Sequence, residues 1–260
     1  MGWPSISSPA GAGTTGARPA RAFWLGRLGY GEAAVLQHGL VEERLRGTIP
    51  DTFLFLEHPP TITLGRGSHA EHLLAPEALL ASRGIEVYET SRGGDVTYHG
   101  PGQLVGYGIV DLRDHGRDVA AYLRKLEAAL IGMLAARGLD ARRNPDYTGV
   151  WVGREKVVAL GVRVDRWVTS HGFALNVATD LSHFDLIVPC GIRGYGVTSL
   201  ERLLGPGETL TRAAADCRAA LGREFGLDFA VGDPAELTRL PVPGDRILGG
   251  VRRVFPRNGE

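Results

Sequence analysis

Three apolar segments joined by very short turns restrict the fold of this chain more than any other feature. VWVG, KVVALGVRV and WVTSHGFALNV follow one another between residues 150 and 177, with turns at 153–155 and 165–166. Each segment is rich in apolar and β-branched residues, which is typical of strands. Turns this short cannot make the crossover that parallel strands need, so the three strands are predicted to pair antiparallel.

Further strands and several helices complete the predicted secondary structure. The strand candidates are AFWLGRLGY from Ala22 onward, DTFLFLE, TITLG, IEVYET, DVTYH and LVGYGIVDL. Apolar residues recur at helical spacing over 31–46, 118–137 and 211–225, which predicts three amphipathic helices. We expect these helices to pack on the sheet.

Composition excludes several classes of protein. Lys and Arg together number 29, and so do Asp and Glu, so no overall field draws the chain to nucleic acid or to an anionic membrane. No segment approaches the roughly 20 apolar residues of a membrane helix. Two cysteines are too few for a disulfide framework, which predicts a reducing, cytoplasmic compartment. The predicted organisation is a disordered arm (1–20), a catalytic domain (21–230) and a C-terminal tail (231–260).

Cys190 is the candidate nucleophile. It lies in FDLIVPCGIRGYG, where Pro189 fixes the backbone before it and Gly191 lets another group approach closely. The alternative is a small buried hydrophobic residue, because free cysteine is among the most buried residue types. Cys217 lies on the apolar stripe of the 211–225 helix and is predicted to belong to the core.

Lys156 is the candidate partner of that thiol. A thiol reacts as its thiolate, and a nearby ammonium lowers its pKa from about 8.5 toward neutrality. Strand alternation predicts that Lys156 projects toward the apolar face that is formed by Val158, Leu160, Val162 and Val164. The alternative is a lysine at a turn that extends its ammonium to water.

The segment RGGDVTYHGPGQ, residues 92–103, is the candidate pocket wall. It sets two glycines beside an arginine and then Thr97 and His99 on one face of a strand. A plain hairpin is the alternative, because adjacent glycines also make turns. His171, which precedes Gly172, is a secondary candidate, although a lone histidine is more often structural than catalytic.

These segments together resemble one known family, the lipoyl (octanoyl) transferases of lipoate biosynthesis. RGGDVTYHGPGQLVGY resembles the family signature, EKVVALGVRV its lysine strand, and HGFALNVATDLSHFDLIVPCGI its nucleophile segment. They occur in the family's order, and the spacing between Lys156 and Cys190 also agrees. The resemblance runs from about Phe23 to about Phe229.

The resemblance implies a fold and an activity. The fold is an α/β domain with a mixed, largely antiparallel sheet flanked by helices, like the catalytic domains of biotin and lipoate protein ligases. The activity is transfer of an octanoyl group from acyl carrier protein, through a Cys190 thioester, to a lysine of lipoyl domains of 2-oxoacid dehydrogenases or of the glycine cleavage H protein. We expect a monomer without cofactor or metal, in which Lys156 lowers the thiol pKa.

The resemblance also implies the residues that contact substrate. Both protein substrates are acidic in this family, so Arg92 is a candidate for steering their docking. The implied substrate contacts are Arg92, Gly93, Gly94, Asp95, Val96, Thr97, Tyr98, His99, Ala159, Leu160, Gly161, Gly172, Phe173 and Ala174.

Three other functions compete with this interpretation. An ATP-dependent lipoate or biotin ligase shares the fold, and Gly65-Arg66-Gly67 is similar to a ligase loop, but such an enzyme needs no cysteine. A papain-like cysteine hydrolase would use His99 or His171 as the base for Cys190. A non-enzymatic module would bind an acyl chain without reacting.

Overall fold

Two β-sheets organise the part of the chain that the computed structural model describes, which is residues 16–189, 194–239 and 250–255. The helices are α1 (Tyr30–Arg46), α2 (Glu77–Ser82), α3 (Val119–Ala135), α4 (Leu200–Leu204) and α5 (Leu210–Phe225). The strands are β1 (Arg18–Arg27), β2 (Asp51–Glu57), β3 (Thr61–Leu64), β4 (Glu86–Glu89), β5 (Val96–His99), β6 (Gln103–Ile109), β7 (Ala141–Arg142), β8 (Val150–Val152), β9 (Glu155–Asp165), β10 (Val168–Asn176), β11 (Gly196–Val197), β12 (Leu227–Val231) and β13 (Arg252–Arg253).

The main sheet has the strand order β12-β1-β2-β6-β10-β9-β8-β7, and β11 also pairs with β9. β1 pairs parallel with β2 and β12, and β11 pairs parallel with β9, whereas the other neighbours are antiparallel. The predicted fold class, a mixed and largely antiparallel sheet with helices, is therefore confirmed. The antiparallel order of β8, β9 and β10 follows from their short turns, as predicted.

Both faces of the main sheet are buried. Phe53 and Phe55 of β2 face the core beneath α3 and α5, while Leu54 and Leu56 face the core beneath α1. This alternation is the two-residue period of a strand covered on both sides. Cys217 of α5 lies in the first core and is fully buried, as its position on the helix stripe predicted.

The helix ends follow local sequence signals. Asp118 caps α3 by accepting a hydrogen bond from the backbone N–H of Ala121 at 2.9 Å, and Thr209 caps α5 in the same way at Arg212. Gly47 ends α1 with a φ of +73°, which costs glycine little. Among the described residues, none of the helices is both long and apolar enough to cross a membrane.

The second, smaller sheet has the order β13-β4-β3-β5. Its core contains Ile62, Leu80 of α2, Val96 and Tyr98, together with Phe184 and other residues of the 184–187 segment. The small sheet thus lies next to the segment that precedes Cys190.

Both ends of the chain contribute strands that extend past the predicted domain limits. Arg18–Ala20, assigned to the arm by sequence, belong to β1, because Leu227–Val231 of β12 pairs alongside them. Part of the predicted tail returns to the small sheet as β13, and Val251 beside it is 3% exposed. Neither pairing has a local sequence signal, since the partner strand lies far away in the chain.

Candidate active site

A β-bulge at the start of β9 decides where Lys156 points. Val150 pairs with Val158, but the next residue of β8, Trp151, pairs with Lys156, so β9 carries an extra residue between these pairs. An extra residue moves the following side chains to the other face. Val150 and Val158 lie in the core beneath α3 and α5, and Trp151 and Lys156 line a cavity on the opposite face. The prediction that Lys156 shares a face with Val158 is therefore wrong.

Lys156 is buried in this cavity, with 7% of its surface exposed. Its Nζ lies 4.9 Å from the centroid of the Trp151 ring. Its aliphatic stem passes Gly149, where a Cβ would stand 3.3 Å from Lys156 Cε and 2.8 Å from the Val158 carbonyl oxygen. Gly149 has a φ of +140°, which residues other than glycine rarely adopt. A side chain at this position would therefore strain the backbone and displace the stem of Lys156. The alternative of a solvent-extended lysine does not describe this side chain.

Cys190 lies outside the described residues, but the described residues on both sides of it border the same cavity. Pro189 directly precedes it and Tyr195 lies five residues after it, and both line the cavity beside Lys156. Val197 of β11 then pairs with Lys156, and the backbone N–H of Thr198 donates to the Lys156 carbonyl oxygen at 3.0 Å. The two described ends of this segment thus converge on the cavity that holds Lys156.

A second cleft lies between the small sheet and the main sheet. Thr97 and His99 line it together, as their alternate positions on β5 predicted. It is lined by Tyr30, Arg92, Gly94, Asp95, Thr97, His99, Tyr107, Ala159, Leu160, Gly161, His171, Gly172, Phe173 and Ala174. Three predicted contacts are not part of this lining. Val96 and Tyr98 pack inside the small sheet's own core, and Gly93 donates its backbone N–H to the Val162 carbonyl oxygen at 2.9 Å.

Arg92 holds the loop that forms one wall of this cleft. Its Nη2 donates to the Thr63 carbonyl oxygen at 2.7 Å and to Thr63 Oγ1 at 2.8 Å, and its Nη1 donates to the Gly93 carbonyl oxygen at 3.1 Å. The residue is 7% exposed. Arg92 is thus buried against β3, and its role in steering the docking of acidic proteins stays a prediction.

Three histidines on this side of the main sheet are held neutral. Burial, with a smaller contribution from nearby Arg92 and Arg163, lowers the pKa of His171 to about 3. Burial also lowers the pKa of His58 to about 4, and it lowers the pKa of His99 well below its ordinary value, with the neighbouring His58 adding to the effect. At neutral pH these imidazoles act as hydrogen-bonding groups without charge.

A chain of buried hydrogen bonds connects the cleft with the Lys156 strand. His99 Nδ1 is 2.8 Å from Gln103 Oε1, and Gln103 Nε2 donates to Asn176 Oδ1 at 2.9 Å. Asn176 Nδ2 donates to the Thr198 carbonyl oxygen at 3.0 Å, and the N–H of Thr198 binds Lys156 as described above. The network thus spans the small turn from β5 to β6 and the strand that follows Cys190.

His171 occupies a strained position within β10. Its φ is +59°, which is rare for a residue other than glycine. Its backbone N–H donates to Gln37 Oε1 of α1 at 2.7 Å, and its ring meets Tyr107 edge-on at 5.9 Å between centroids. These contacts hold His171 in the cleft lining, where the sequence predicted it as a secondary candidate.

The sequence profile of the lipoyl protein ligase A/B catalytic domain matches residues 30–222. The chain belongs to this family. The matched range contains Lys156, Cys190 and the whole cleft lining. It stops short of β12 and β13, the two strands that close the sheets from the C-terminal side.

Relatives in the lipoyl protein ligase A/B family share much of this sequence. A protein of Solibacter usitatus named octanoyltransferase is 58% identical over 179 residues, which are 69% of this chain and 81% of that protein. A protein of the same name from Desulforamulus reducens is 42% identical over 217 residues, 83% of this chain and 95% of the relative. The sequence likeness therefore extends well beyond the motif segments.

Several solved structures have the same fold at low sequence identity. Lipoate-protein ligase A bound with ATP matches with a TM-score of 0.66 at 18% identity, over 85% of this chain and 93% of that chain. A ligase from Thermoplasma acidophilum, described together with its E2 lipoyl domain, matches with a TM-score of 0.63 at 17% identity, over 85% and 91%. The biotin protein ligase of Aquifex aeolicus matches at 0.51 and 12% identity, over 79% and 70%. These likenesses show the fold alone.

Several residues of the site in this family member escaped the sequence analysis. Tyr30 and Tyr107 line the cleft, and His58 Nε2 is 2.7 Å from the Tyr107 hydroxyl. Trp151 lies under the Lys156 ammonium. The sequence does contain short signals near these residues, namely HPP after β2 and GVW at β8. Such short signals do not show that the residues lie close to Lys156 or Cys190 in the folded chain.

Proposed function

We propose that this chain transfers an octanoyl group from the thioester of acyl carrier protein to a lysine of lipoyl domains, through a thioester on Cys190. One observation supports this above all. Lys156, a buried lysine, borders a cavity together with Pro189, the residue bonded to Cys190. An ammonium in that position favours the thiolate form of a neighbouring cysteine.

The first half-reaction loads the enzyme. The Cys190 thiolate attacks the acyl carbon, the new C–S bond forms, and the carbonyl oxygen becomes an oxyanion. The bond to the carrier sulfur then breaks, and that sulfur takes a proton from the Lys156 ammonium. Octanoyl-Cys190 and a neutral Lys156 amine remain.

The second half-reaction delivers the acyl group. Neutral Lys156 takes a proton from the ammonium of the acceptor lysine, because only the neutral amine attacks an acyl carbon. The amide bond forms, the bond to Cys190 breaks, and the second proton of the attacking nitrogen leaves to solvent. The thiolate and the Lys156 ammonium are restored, so the cycle balances without a nucleotide.

The cleft between the sheets is suited to the acyl chain. Ala159, Gly161, Gly172 and Ala174 present little or no side chain to it, and Phe173 adds an aromatic contact. Each methylene of the chain that is buried there contributes about 0.8 kcal/mol. Along β9, Ala159 is three residues from Lys156, about 10 Å at the rise of a strand.

The relatives favour transfer over the alternative functions. Proteins of 42–58% identity are named octanoyltransferase, whereas the ligases resemble this chain in fold at 17–18% identity. A hydrolase would need His99 or His171 as base, but a buried imidazole with a pKa near 3, as in His171, is a weak base at neutral pH. An acyl-binding module gives no reason for a buried lysine beside the cysteine segment.

We place this reaction in the cytoplasm and assign it to a monomer. The mechanism needs a reduced Cys190, and the other thiol, Cys217, is a free cysteine in the core. The acceptors would be the lipoyl domains of 2-oxoacid dehydrogenases and the glycine cleavage H protein.

Intact-mass measurement tests the proposal. The chain is incubated with octanoyl-acyl carrier protein without ATP, and a mass increase of one octanoyl group is expected on wild type and not on Cys190→Ser. Cys217→Ser is the matched control and should acylate like wild type, because Cys217 is fully buried in the core. Acylation of Cys190→Ser, or activity that requires ATP and free acid, would refute the Cys190 route.

A further inference from the structure

Three aromatic residues form a cluster that includes the ring beneath the Lys156 ammonium. Trp151 and Tyr195 meet edge-on with centroids 5.2 Å apart, and Tyr147 lies 6.3 Å from Trp151 and 5.6 Å from Tyr195. Trp151 is 3% exposed, so its ring is almost entirely inside the protein. Lys156 Nζ stands over this ring at 4.9 Å.

We propose that Trp151 is a positioning residue that holds the Lys156 ammonium beside the reactive cysteine through its ring face. The inference rests on the proposed Cys190–Lys156 mechanism and extends it. The negative face of an indole attracts a cation within about 6 Å of its centroid, and the attraction grows when both groups leave water. The attraction holds the ammonium in place, and a nearby ammonium is the charge that stabilises a thiolate.

The bulge makes this pairing specific. Trp151 and Lys156 are opposite one another on β8 and β9, so both project from the same face at the same level. Without the extra residue of β9, the strand alternation would direct one of them into the core beneath α3 and α5. The strand register therefore places the Trp151 ring and the Lys156 ammonium in the same cavity.

The same aromatic group fixes the strand that follows Cys190. The Arg154 guanidinium stacks over Tyr195 at 5.1 Å, and its Nη2 donates to the Gly194 carbonyl oxygen at 2.9 Å. The backbone N–H of Gly196 donates to the Arg154 carbonyl oxygen at 3.2 Å. Tyr195 therefore joins the nucleophile segment to the ring that carries Lys156.

Ring contacts with Tyr147 and Tyr195 position Trp151, and its indole N–H makes no hydrogen bond within the described residues. Trp151 Nε1 is buried without a hydrogen-bond partner there. Replacing ring hydrogens with fluorine therefore weakens the attraction between the ring and the Lys156 ammonium, breaks no hydrogen bond of the described residues, and leaves the packing almost unchanged. A fluorine series can thus distinguish a cation–π role of Trp151 from a purely steric role.

The test replaces Trp151 with mono-, di- and trifluorotryptophan by site-specific incorporation into the full chain, in a Cys217→Ser background. Fluorine withdraws electrons from the ring face at nearly constant shape. The pH dependence of Cys190 alkylation by iodoacetamide is then measured. We expect the apparent pKa of the Cys190 thiol to rise step by step with each added fluorine, because an ammonium that is held less firmly beside the thiolate stabilises it less.

Two further variants complete the experiment. Trp151→Phe keeps a weaker ring face and should lie between wild type and Trp151→Leu, which should show the largest shift. If all variants fold, form octanoyl-Cys190 and show the same pH dependence of alkylation as wild type, the positioning role of Trp151 is overturned. Absence of the octanoyl adduct on wild-type Cys190 would instead overturn the proposed function, and this inference with it.

Discussion

Gly161 of β9 lies directly against Gly93 of the cleft loop. A Cβ built on Gly161 would stand 2.9 Å from the Gly93 carbonyl oxygen and 3.4 Å from Arg92 Cδ. Gly93 in turn donates its N–H to the Val162 carbonyl oxygen at 2.9 Å. The loop at Gly93 and strand β9 at Gly161 thus approach each other more closely than any residue other than glycine allows. This close approach sets the width of the cleft.

Replacing Gly161 with alanine is expected to narrow the cleft. The added methyl group meets backbone on one side, so either the loop or the acyl chain must move. Octanoyl transfer should fall by about 10- to 100-fold, the usual effect of one methyl-sized change in a fitted pocket, and butanoyl transfer should fall less. Rates with carrier thioesters of both chain lengths measure this.

Gly132→Ala is the matched control for that substitution. Gly132 lies within α3, and a Cβ there meets nothing within 4 Å. Alanine should raise the free energy of unfolding by up to about 1 kcal/mol and leave the chain-length preference unchanged. An unchanged octanoyl-to-butanoyl ratio in Gly161→Ala would contradict the assignment of the cleft to the acyl chain.

Asn176→Ala is expected to break the buried network between the cleft and the Lys156 strand. The substitution leaves the Thr198 carbonyl oxygen and one donor of Gln103 without their present partners. Buried groups left unsatisfied cost about 1–3 kcal/mol each. Urea unfolding should show this loss, whereas Thr238→Ala, which removes an exposed hydrogen bond to Ala235, should change stability by less than about 0.5 kcal/mol. Equal effects of the two substitutions would argue against the network.

The stability of the fold should decrease as the pH falls below about 6.5. The folded pKa values of His58 and His171, about 4 and about 3, lie below the unfolded value, so the unfolded chain binds protons that the folded chain does not. Each such histidine lowers the free energy of unfolding by about 1.4 kcal/mol per pH unit until its folded pKa is reached. Denaturant titrations between pH 7.5 and pH 5 measure the slope.

His58→Gln should reduce the slope of unfolding free energy against pH by about 1.4 kcal/mol per pH unit, the equivalent of one bound proton. His69→Gln should leave the slope unchanged. His69 is an exposed histidine next to the small sheet, which makes it the appropriate control. A slope that is the same in wild type and His58→Gln would show that the His58 imidazole does not stay neutral in the folded state.

The C-terminal segment is expected to stabilise the small sheet and the Tyr30 wall of the cleft. Val251 packs with Tyr30, Ala34 and Tyr88, and β13 pairs with β4. Val251→Ala should lower the free energy of unfolding by about 2 kcal/mol, because a buried methyl pair is lost. Val231, which is 48% exposed, supplies the control: Val231→Ala should have little effect. Equal melting temperatures for the two variants would mean that residues 250–255 do not support the fold.

The sequence determined the elements with strong local signals. The apolar periods of the helices predicted their positions, the short turns of β8–β10 predicted antiparallel pairing, and the glycine-rich 92–103 segment predicted one wall of the cleft. The fold class and the predicted substrate contacts on β9 and β10 followed from the family resemblance. The residues of these segments carry their own periodicity or turn chemistry, so the prediction needed no distant partner. The role of Cys190 stays a prediction, since that residue lies outside the described ranges.

The tertiary structure alone decided which face of β9 bears Lys156 and what surrounds it. The bulge arises from the pairing of β8 with β9, and strict alternation along the sequence therefore placed the lysine on the wrong face. The burial of Arg92 against Thr63 and the return of β13 to β4 likewise depend on residues that are distant in the chain. A period of two residues fixes a side chain's face only while the register is unbroken, and the register is set by the neighbouring strand.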